Sequence, residues 1–268
     1  GAIRSFPIPL PPLPEQKKIA EILSACDRGI EITNRLITNY ELLKKGLMQQ
    51  LLVGRMRFAK FGKPVEKKGQ LPEGWITQEF SSFAELRKKK HNPKDHTKNF
   101  MCIELEHIDQ VSGQLLGSVS STIQASIKNR FYKGDVLFGK LRPYLRKFWH
   151  CDREGVCSSE IWVLTVKDSF FDPRYLFYTV QDDKFVALAN VTSGSKMPRA
   201  DWGFISEQLF SVPTILEQQR IVRCLSACDR GIQLLTRKRD LFQEQKKGLM
   251  QKLLTGEVRV KVQEMKNG

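Results

Sequence analysis

From Glu15 onward, apolar or small side chains recur at alternating spacings of three and four: Ile19, Ile22, Cys26, Ile30, Thr33, Ile37, Tyr40, Leu43, Leu47 and Leu51. That spacing holds them on one stripe of an α-helix, with mostly polar residues on the other faces. The pattern returns near the C-terminus as Ile221, Cys224, Cys228, Ile232 and Leu235, weakens through Arg239, and resumes at Phe242, Leu249 and Leu253. Aligned without a gap at an offset of 202, Glu15–Phe58 and Glu217–Val260 are identical at 22 of 44 positions. One segment therefore occurs twice. The identical blocks include SACDRGI (Ser24–Ile30 and Ser226–Ile232), KKGLMQ (Lys44–Gln49 and Lys246–Gln251) and a closing Leu-Leu-x-Gly. Pro14 and Pro213 mark the starts, and Gly54 and Gly256 are natural stops. Each copy predicts a helix of about 39 residues, which at about 1.5 Å per residue is about 58 Å long.

Neither stripe has another obvious partner, so the two are expected to pack on each other, antiparallel, as a coiled-coil-like pair. The pairing residues expected from the spacing are Ile19, Ile22, Cys26, Ile30, Ile37, Leu47 and Leu51 in the first copy. In the second they are Ile221, Cys228, Ile232, Leu249 and Leu253. Each copy also keeps two interior glycines, Gly29/Gly231 and Gly46/Gly248. A glycine inside a helix costs about 1 kcal/mol relative to alanine. Retaining them twice points to close helix approach or a local bend.

Between the copies, residues 59–214 change character: glycine, proline and aromatics appear and the helical period is lost. Candidate strands are Phe100–Leu105, Asp135–Phe138 and Ser159–Val166, and a helix is expected across Pro173–Ala189. The fold class is thus α+β: one α+β domain and two long helices. The chain divides into a proline-rich lead-in (1–14), the first helical copy (15–58), the central domain (59–214), the second copy (215–260) and a polar tail (261–268). At the repeat offset Leu10-Pro11 corresponds to Val212-Pro213, so residues 1–14 look like the tail of another central domain. Gly1-Ala2 resembles a cloning remnant, and the chain reads as a fragment of a longer protein.

Charge adds a partner class. Lys plus Arg number 44 against 29 acidic residues, a net charge of +15. Such a surplus favours a polyanion, nucleic acid first and an acidic membrane surface second. No apolar run approaches the roughly 20 residues of a membrane-spanning helix. The basic residues concentrate in three segments of the central domain. One is the run Arg87–His91 with Lys88, Lys89 and Lys90. A second follows a strand and carries Lys140, Arg142, Tyr144, Arg146 and Lys147. The third is a polar loop with Ser195, Lys196 and Arg199. Arginine and lysine pair with phosphates, arginine can read guanine bidentately, and tyrosine can stack or wedge. Taken singly, each run is as well explained by a solvated face.

No catalytic constellation is present. There is no Gly-rich phosphate or dinucleotide loop and no methyltransferase-type Asn-Pro-Pro-aromatic motif. Glu264-Met-Lys266 sits in a polar tail without a paired upstream aspartate. The six cysteines (Cys26, Cys102, Cys151, Cys157, Cys224, Cys228) lack the paired spacing of a zinc site and read as reduced thiols of a cytoplasmic protein. His91, His96, His107 and His150 show no triad spacing. The expectation is no metal, no cofactor and no enzyme activity.

Leu13-Pro-Glu-Gln16, the repeated helix ending in Lys-Lys-Gly-Leu-Met-Gln-x-Leu-Leu-x-Gly, and Leu71-Pro-Glu-Gly-Trp75 before the domain together resemble the specificity subunit of type I restriction–modification systems. Gly134-Asp-Val-Leu-Phe138 is similar to a strand of that family's target recognition domain. The resemblance implies a non-catalytic subunit in which each recognition domain reads half of a split site on double-stranded DNA. It further implies that the helices act as spacer and dock methyltransferase (modification) subunits, through which restriction subunits join. With one complete recognition domain, this chain looks like a C-terminal half or half-length form, and residues 1–14 like the remnant of a missing recognition domain. Dimerisation through the helices would rebuild a two-domain reader. The competing reading is a helical adaptor whose central domain binds protein.

Overall fold

The computed structural model describes residues 10–67, 69–95, 98–191 and 197–261. In chain order the elements are α1 (Leu13–Leu51), β1 (Ile76–Glu79), α2 (Phe80–Phe83), β2 (Ala84–Leu86), β3 (Lys90–His91), β4 (Met101–Ile103), β5 (Val119–Ser120), β6 (Lys128–Phe131) and β7 (Val136–Gly139). They continue as β8 (Phe148–His150), β9 (Gly155–Cys157), β10 (Ile161–Val166), α3 (Pro173–Thr179), α4 (Asp183–Ala189), α5 (Trp202–Ser206), β11 (Leu209–Val212) and α6 (Ile215–Leu254). The described residues divide into a helical unit, formed by the chain up to Lys45 and from Ser226 onward, and an α+β unit, Gly46–Leu225.

The spacing forms the helices it predicts, α1 of 39 and α6 of 40 residues, each lying for most of its length in the helical unit. Lys246 pairs with Asp27 at 2.5 Å, Lys44 with Asp229 at 2.7 Å, and Arg259 with Glu15 through two bonds of 2.8 and 2.6 Å. As the position in the first copy rises, that in the second falls, so the helices run antiparallel. The pairs are also exchanged by the repeat: Asp27 corresponds to Asp229 and Lys44 to Lys246. Gly29 faces the Phe242 ring, and Gly231 faces Tyr40 so closely that an added Cβ would lie 2.7 Å from it. Close approach therefore accounts for Gly231, whereas a Cβ at Gly29 would make an ordinary contact, 3.5 Å from the Phe242 ring. A Cβ at Gly46 or Gly248 would have no contact within 4 Å, so close packing does not account for that pair. Ile19, Ile37, Cys228 and Leu253 are buried, and Ile22, Cys26, Ile30, Ile232 and Leu249 half-buried. No helix among the described residues is long and apolar enough to cross a membrane.

Both helices stop where the sequence indicates: Gly54 and Gly256 have φ of 71° and 76°, a left-handed conformation that costs glycine little.

In the α+β unit three sheets form, ordered β1-β11, β2-β10-β7-β8 and β3-β6-β9-β4-β5. Every pairing is antiparallel except β4 with β9. The four-stranded sheet is buried on both faces. Val136, Phe138, Trp162 and Leu164 enter one apolar cluster with Trp75, Phe80, Phe83, Tyr178 and Phe185. The intervening Leu137, Ile161 and Val163 enter a second, with Ile103, Phe131 and Trp149. Alternate residues of a strand point to opposite faces. Two-sided burial is why Val136–Phe138 and Ile161–Leu164 are unbroken apolar runs. Leu47, Leu51 and Ile221, assigned by spacing to the helix seam, pack in or against the first cluster together with Leu225.

Two local expectations need correction. The segment Pro173–Ala189 is two helices, not one. Asp172 caps α3 through the N–H groups of Arg174 and Tyr175, and Asp182 caps α4 through that of Lys184. A second N-cap starts a separate helix. The strand expected over Phe100–Leu105 is confined to β4, because Leu105–His107 forms a 3-10 turn closed by Glu104 and His107.

Glu217 anchors this unit. Its carboxylate accepts two hydrogen bonds from Arg57 (2.9 and 2.8 Å) and one from the Trp75 indole (2.9 Å), and both charged side chains are 2% exposed. The carboxylate holds the Arg57 guanidinium above its ordinary pKa. At the repeat offset Arg57–Glu217 and Arg259–Glu15 are the same pair.

Candidate nucleic-acid interface

Strands β7 and β8 form a hairpin in which Phe138 pairs with Phe148, and the Gly139 N–H donates to Lys147 O at 2.8 Å. The connection between them carries the second basic segment. Pro143–Leu145 makes one 3-10 turn, with Pro143 at its first position, where a fixed φ and missing N–H suit a helix start. Arg142 and Arg146 flank the turn in the left-handed region, with φ of 52° and 51°.

Backbone bonds join this connection to two other segments. Arg142 N–H donates to Pro198 O (2.8 Å), Ala200 N–H donates to Lys140 O (2.8 Å), and Leu141 bridges Arg199. On its other side, Val111 N–H donates to Arg146 O (3.0 Å) and Gln110 bridges Lys147. Residues 109–114, 140–147 and 197–200 thus form one knit surface. Ser195 and Lys196 lie outside the described residues.

The basic side chains on this surface differ in what holds them. Arg142 and Tyr144 are exposed and Lys140 half-buried, and none has a side-chain partner among the described residues. Arg146 is held by Gln181 O (3.1 Å) and Asp183 (2.5 Å). The Lys147 ammonium donates to the carbonyls of Leu105 and Ile108 at 2.7 and 2.9 Å. Arg199 pairs with Glu160 at 3.0 Å across a half-exposed contact. The Lys88–Lys90 run belongs elsewhere: it leads into β3 of the five-stranded sheet, where Lys90 bonds Asn129 and Lys88 and Lys89 are exposed.

One supporting residue was legible only as part of a charge run. Arg87 donates bidentately to Asp135, both bonds 2.7 Å, and Asp135 also accepts the Tyr132 N–H at 2.8 Å. The hydrogen-bonded carboxylate raises the Arg87 pKa further above its ordinary value. This pair fixes the start of β7. Its partners are 48 residues apart, beyond the reach of any local periodicity.

Residues 1–41 and 72–241 match the family described as type I restriction modification DNA specificity domain. The chain is 24% identical to the type I restriction enzyme MjaVIII specificity subunit of Methanocaldococcus jannaschii, over 95% of this chain and 62% of that protein. It is 26% identical to the EcoDI specificity subunit of Escherichia coli, over 83% and 55%. It thus spans about three-fifths of the length of these relatives. Among solved structures, the HsdS subunit from Thermoanaerobacter tengcongensis superposes with a TM-score of 0.55 at 23% identity, covering 69% of this chain and 50% of that one. The type I restriction–modification S subunit from M. genitalium gives 0.57 at 12%, covering 89% and 60%. At these identities the structural likeness shows a shared α+β fold with long helices. On the family match, which covers most of its length, this chain belongs to the type I restriction–modification DNA specificity family.

Proposed function

We propose that residues 59–214 form a target recognition domain that reads one half-site of double-stranded DNA, with no catalytic role of its own. The observation that carries this reading is the knit surface around the β7–β8 connection. It offers the side chains of Lys140, Arg142 and Tyr144 without partners among the described residues, on backbone fixed by hydrogen bonds from both sides. A backbone already in place removes the loop-ordering part of the cost of binding, and solvent-accessible cations suit phosphates and guanine edges. Arg146 and Lys147, held by protein groups, shape the loop and lend it positive field. Arg199, Lys88, Lys89 and Lys90 add phosphate contacts, as do Ser195 and Lys196. The helical pair is the spacer and the docking surface for methyltransferase subunits in the cytoplasm, with restriction subunits joining through them. Two chains pairing through the helices would place two readers on one DNA.

Selection of bound duplexes from a random pool tests this reading. A single ungapped motif is expected from one reader, and a gapped palindrome from a dimer. Binding should weaken steeply with salt, log K falling about 0.9 per phosphate contact for each unit of log[salt]. Arg142→Glu should abolish selection while circular dichroism shows the helices intact. Absence of any motif, or salt-independent binding, would favour a protein-binding adaptor instead.

A further inference from the structure

Three non-glycine residues among those described have positive φ: Val111, Arg142 and Arg146. All three lie on the knit surface, and Val111 is the anomaly. A β-branched residue has little access to φ of 68°. Ser112 N–H donates to Gln110 O at 2.8 Å, which makes Val111 the central residue of the positive-φ γ-turn, a rare and strained form. Burial does not compensate, since Val111 is 60% exposed.

The turn is nevertheless held by hydrogen bonds and packing. Ile108 bridges Leu115, Asp109 N–H donates to Gln114 O (3.0 Å), and the Ser112 hydroxyl bonds the Asp109 carboxylate. Gly113 lies against Phe177 and Phe148 so tightly that an added Cβ would sit 2.9 Å from the Phe177 ring. The tip is thus braced from below and, through Val111 N–H and the Gln110–Lys147 bridge, from the loop bearing Arg142 and Tyr144. Strained residues that the surrounding structure over-determines cluster at functional sites.

We infer that Val111 is a specificity-determining residue of this domain, reading the C5-methyl group of a thymine. This rests on the DNA reading proposed above. An isopropyl group makes no hydrogen bond, and the thymine methyl is the apolar feature that base pairs present in the major groove. Minor-groove wedges are longer or aromatic side chains or proline. The neighbouring Arg142 supplies the donors for phosphate or guanine, so the two positions divide the polar and apolar parts of the readout.

The test uses the full 268-residue chain and the duplex it selects from a random pool. Each thymine of that duplex is replaced in turn by uracil, which removes only the methyl. One replacement should weaken wild-type binding about fivefold, near the low end of what a base contact supplies. Val111→Gly should lose about as much on the thymine duplex and be indifferent to that same replacement, with an unchanged salt slope. Its thermal midpoint should equal or exceed that of the wild type, because glycine accepts the left-handed conformation. Val111→Asn, also tolerant of that conformation, provides a second folded variant with the methyl contact removed. A selected duplex with no uracil-sensitive position, or variants that keep the wild-type sensitivity, would overturn the inference while leaving DNA recognition standing. Failure of the wild type to select any duplex would sink both.

Discussion

Replacing Glu217 by alanine should destabilise the α+β unit far more than the same change at Glu15, its counterpart in the repeat. The two carboxylates take part in the same pair, Glu217 with Arg57 and Glu15 with Arg259, so the sequence supplies its own control. What differs is the surroundings. The Arg57 side chain is 2% exposed and that of Arg259 67%. Removing Glu217 leaves a guanidinium out of water without its counter-charge and the Trp75 indole N–H without its acceptor. Breaking a buried pair by deleting one partner costs about 3–5 kcal/mol. The lower half of that range applies here, because Arg57 keeps hydrogen bonds to the carbonyls of Lys63 and Glu73. For a unit of this size about 3 kcal/mol corresponds to a fall of roughly 10 °C in Tm. The assay is convenient: all four tryptophans, Trp75, Trp149, Trp162 and Trp202, lie in the α+β unit, so tryptophan fluorescence during urea unfolding reports that unit. The Glu15–Arg259 pair lies in the helical unit, so Glu15→Ala is read by circular dichroism at 222 nm and should cost that unit much less, since solvent reaches Arg259 and screens its loss. An Arg57→Ala/Glu217→Ala cycle should show strong coupling. If Glu217→Ala costs under about 1 kcal/mol, or Glu15→Ala costs the helical unit as much as Glu217→Ala costs the α+β unit, burial is not what sets the strength of this pair.

The interior glycines should separate by the same logic: Gly248→Ala, with open space at its Cβ, should raise the helical melting midpoint by up to about 1 kcal/mol of stability. Gly231→Ala should lower it, because the new methyl meets the Tyr40 ring; circular dichroism at 222 nm during thermal melting checks both signs. His150 should make stability fall in acid. Burial, reinforced by Arg174, pushes its pKa down to about 4 from the ordinary 6.5. Between those values the unfolded chain binds the proton and the folded chain does not, so stability is full above about pH 6.5 and lost as pH falls towards 4. The slope approaches about 1.4 kcal/mol per pH unit. His150→Phe should flatten that part of the pH profile of the urea midpoint, and an unchanged profile would count against the burial reading.

The helices were legible because their information is local and doubled: spacing, proline starts and glycine stops all lie within a few residues of what they specify. The repeat carried more than the existence of two helices. Equivalent residues Asp27/Asp229 and Lys44/Lys246 could already be seen as complementary charges in both copies, though nothing short of the fold said that each aspartate meets the other copy's lysine. The central domain was less transparent. Its four-stranded sheet is apolar on both faces, so β7 and β10 show no alternation to separate strand from buried helix. The break between α3 and α4 depends on one capping aspartate, Asp182, in a stretch whose apolar residues continue the helical period on either side.

The interface shows a different limit. Composition located the cations of residues 140–147 correctly on a loop after a strand, but a list of charges cannot distinguish a free guanidinium from an occupied one. Arg142 and Arg146 are four residues apart with the same left-handed backbone, yet Asp183 and Gln181 hold one and leave the other to solvent. The partners come from the α3–α4 link and the first residue of α4, more than 30 residues downstream, so tertiary contact decides which guanidinium is occupied. Val111 is the extreme case, since valine is among the residues least expected in a turn of positive φ. Its sequence context, Asp-Gln-Val-Ser-Gly, announces a turn through Ser-Gly and says nothing of strain at the valine. Such conflict between local preference and observed conformation is concentrated where a fold serves something besides its own stability. Of the three positive-φ side chains on this surface, Arg146 has protein partners. Val111 and Arg142 are the exposed ones, and on the DNA reading proposed above they are where sequence discrimination should reside.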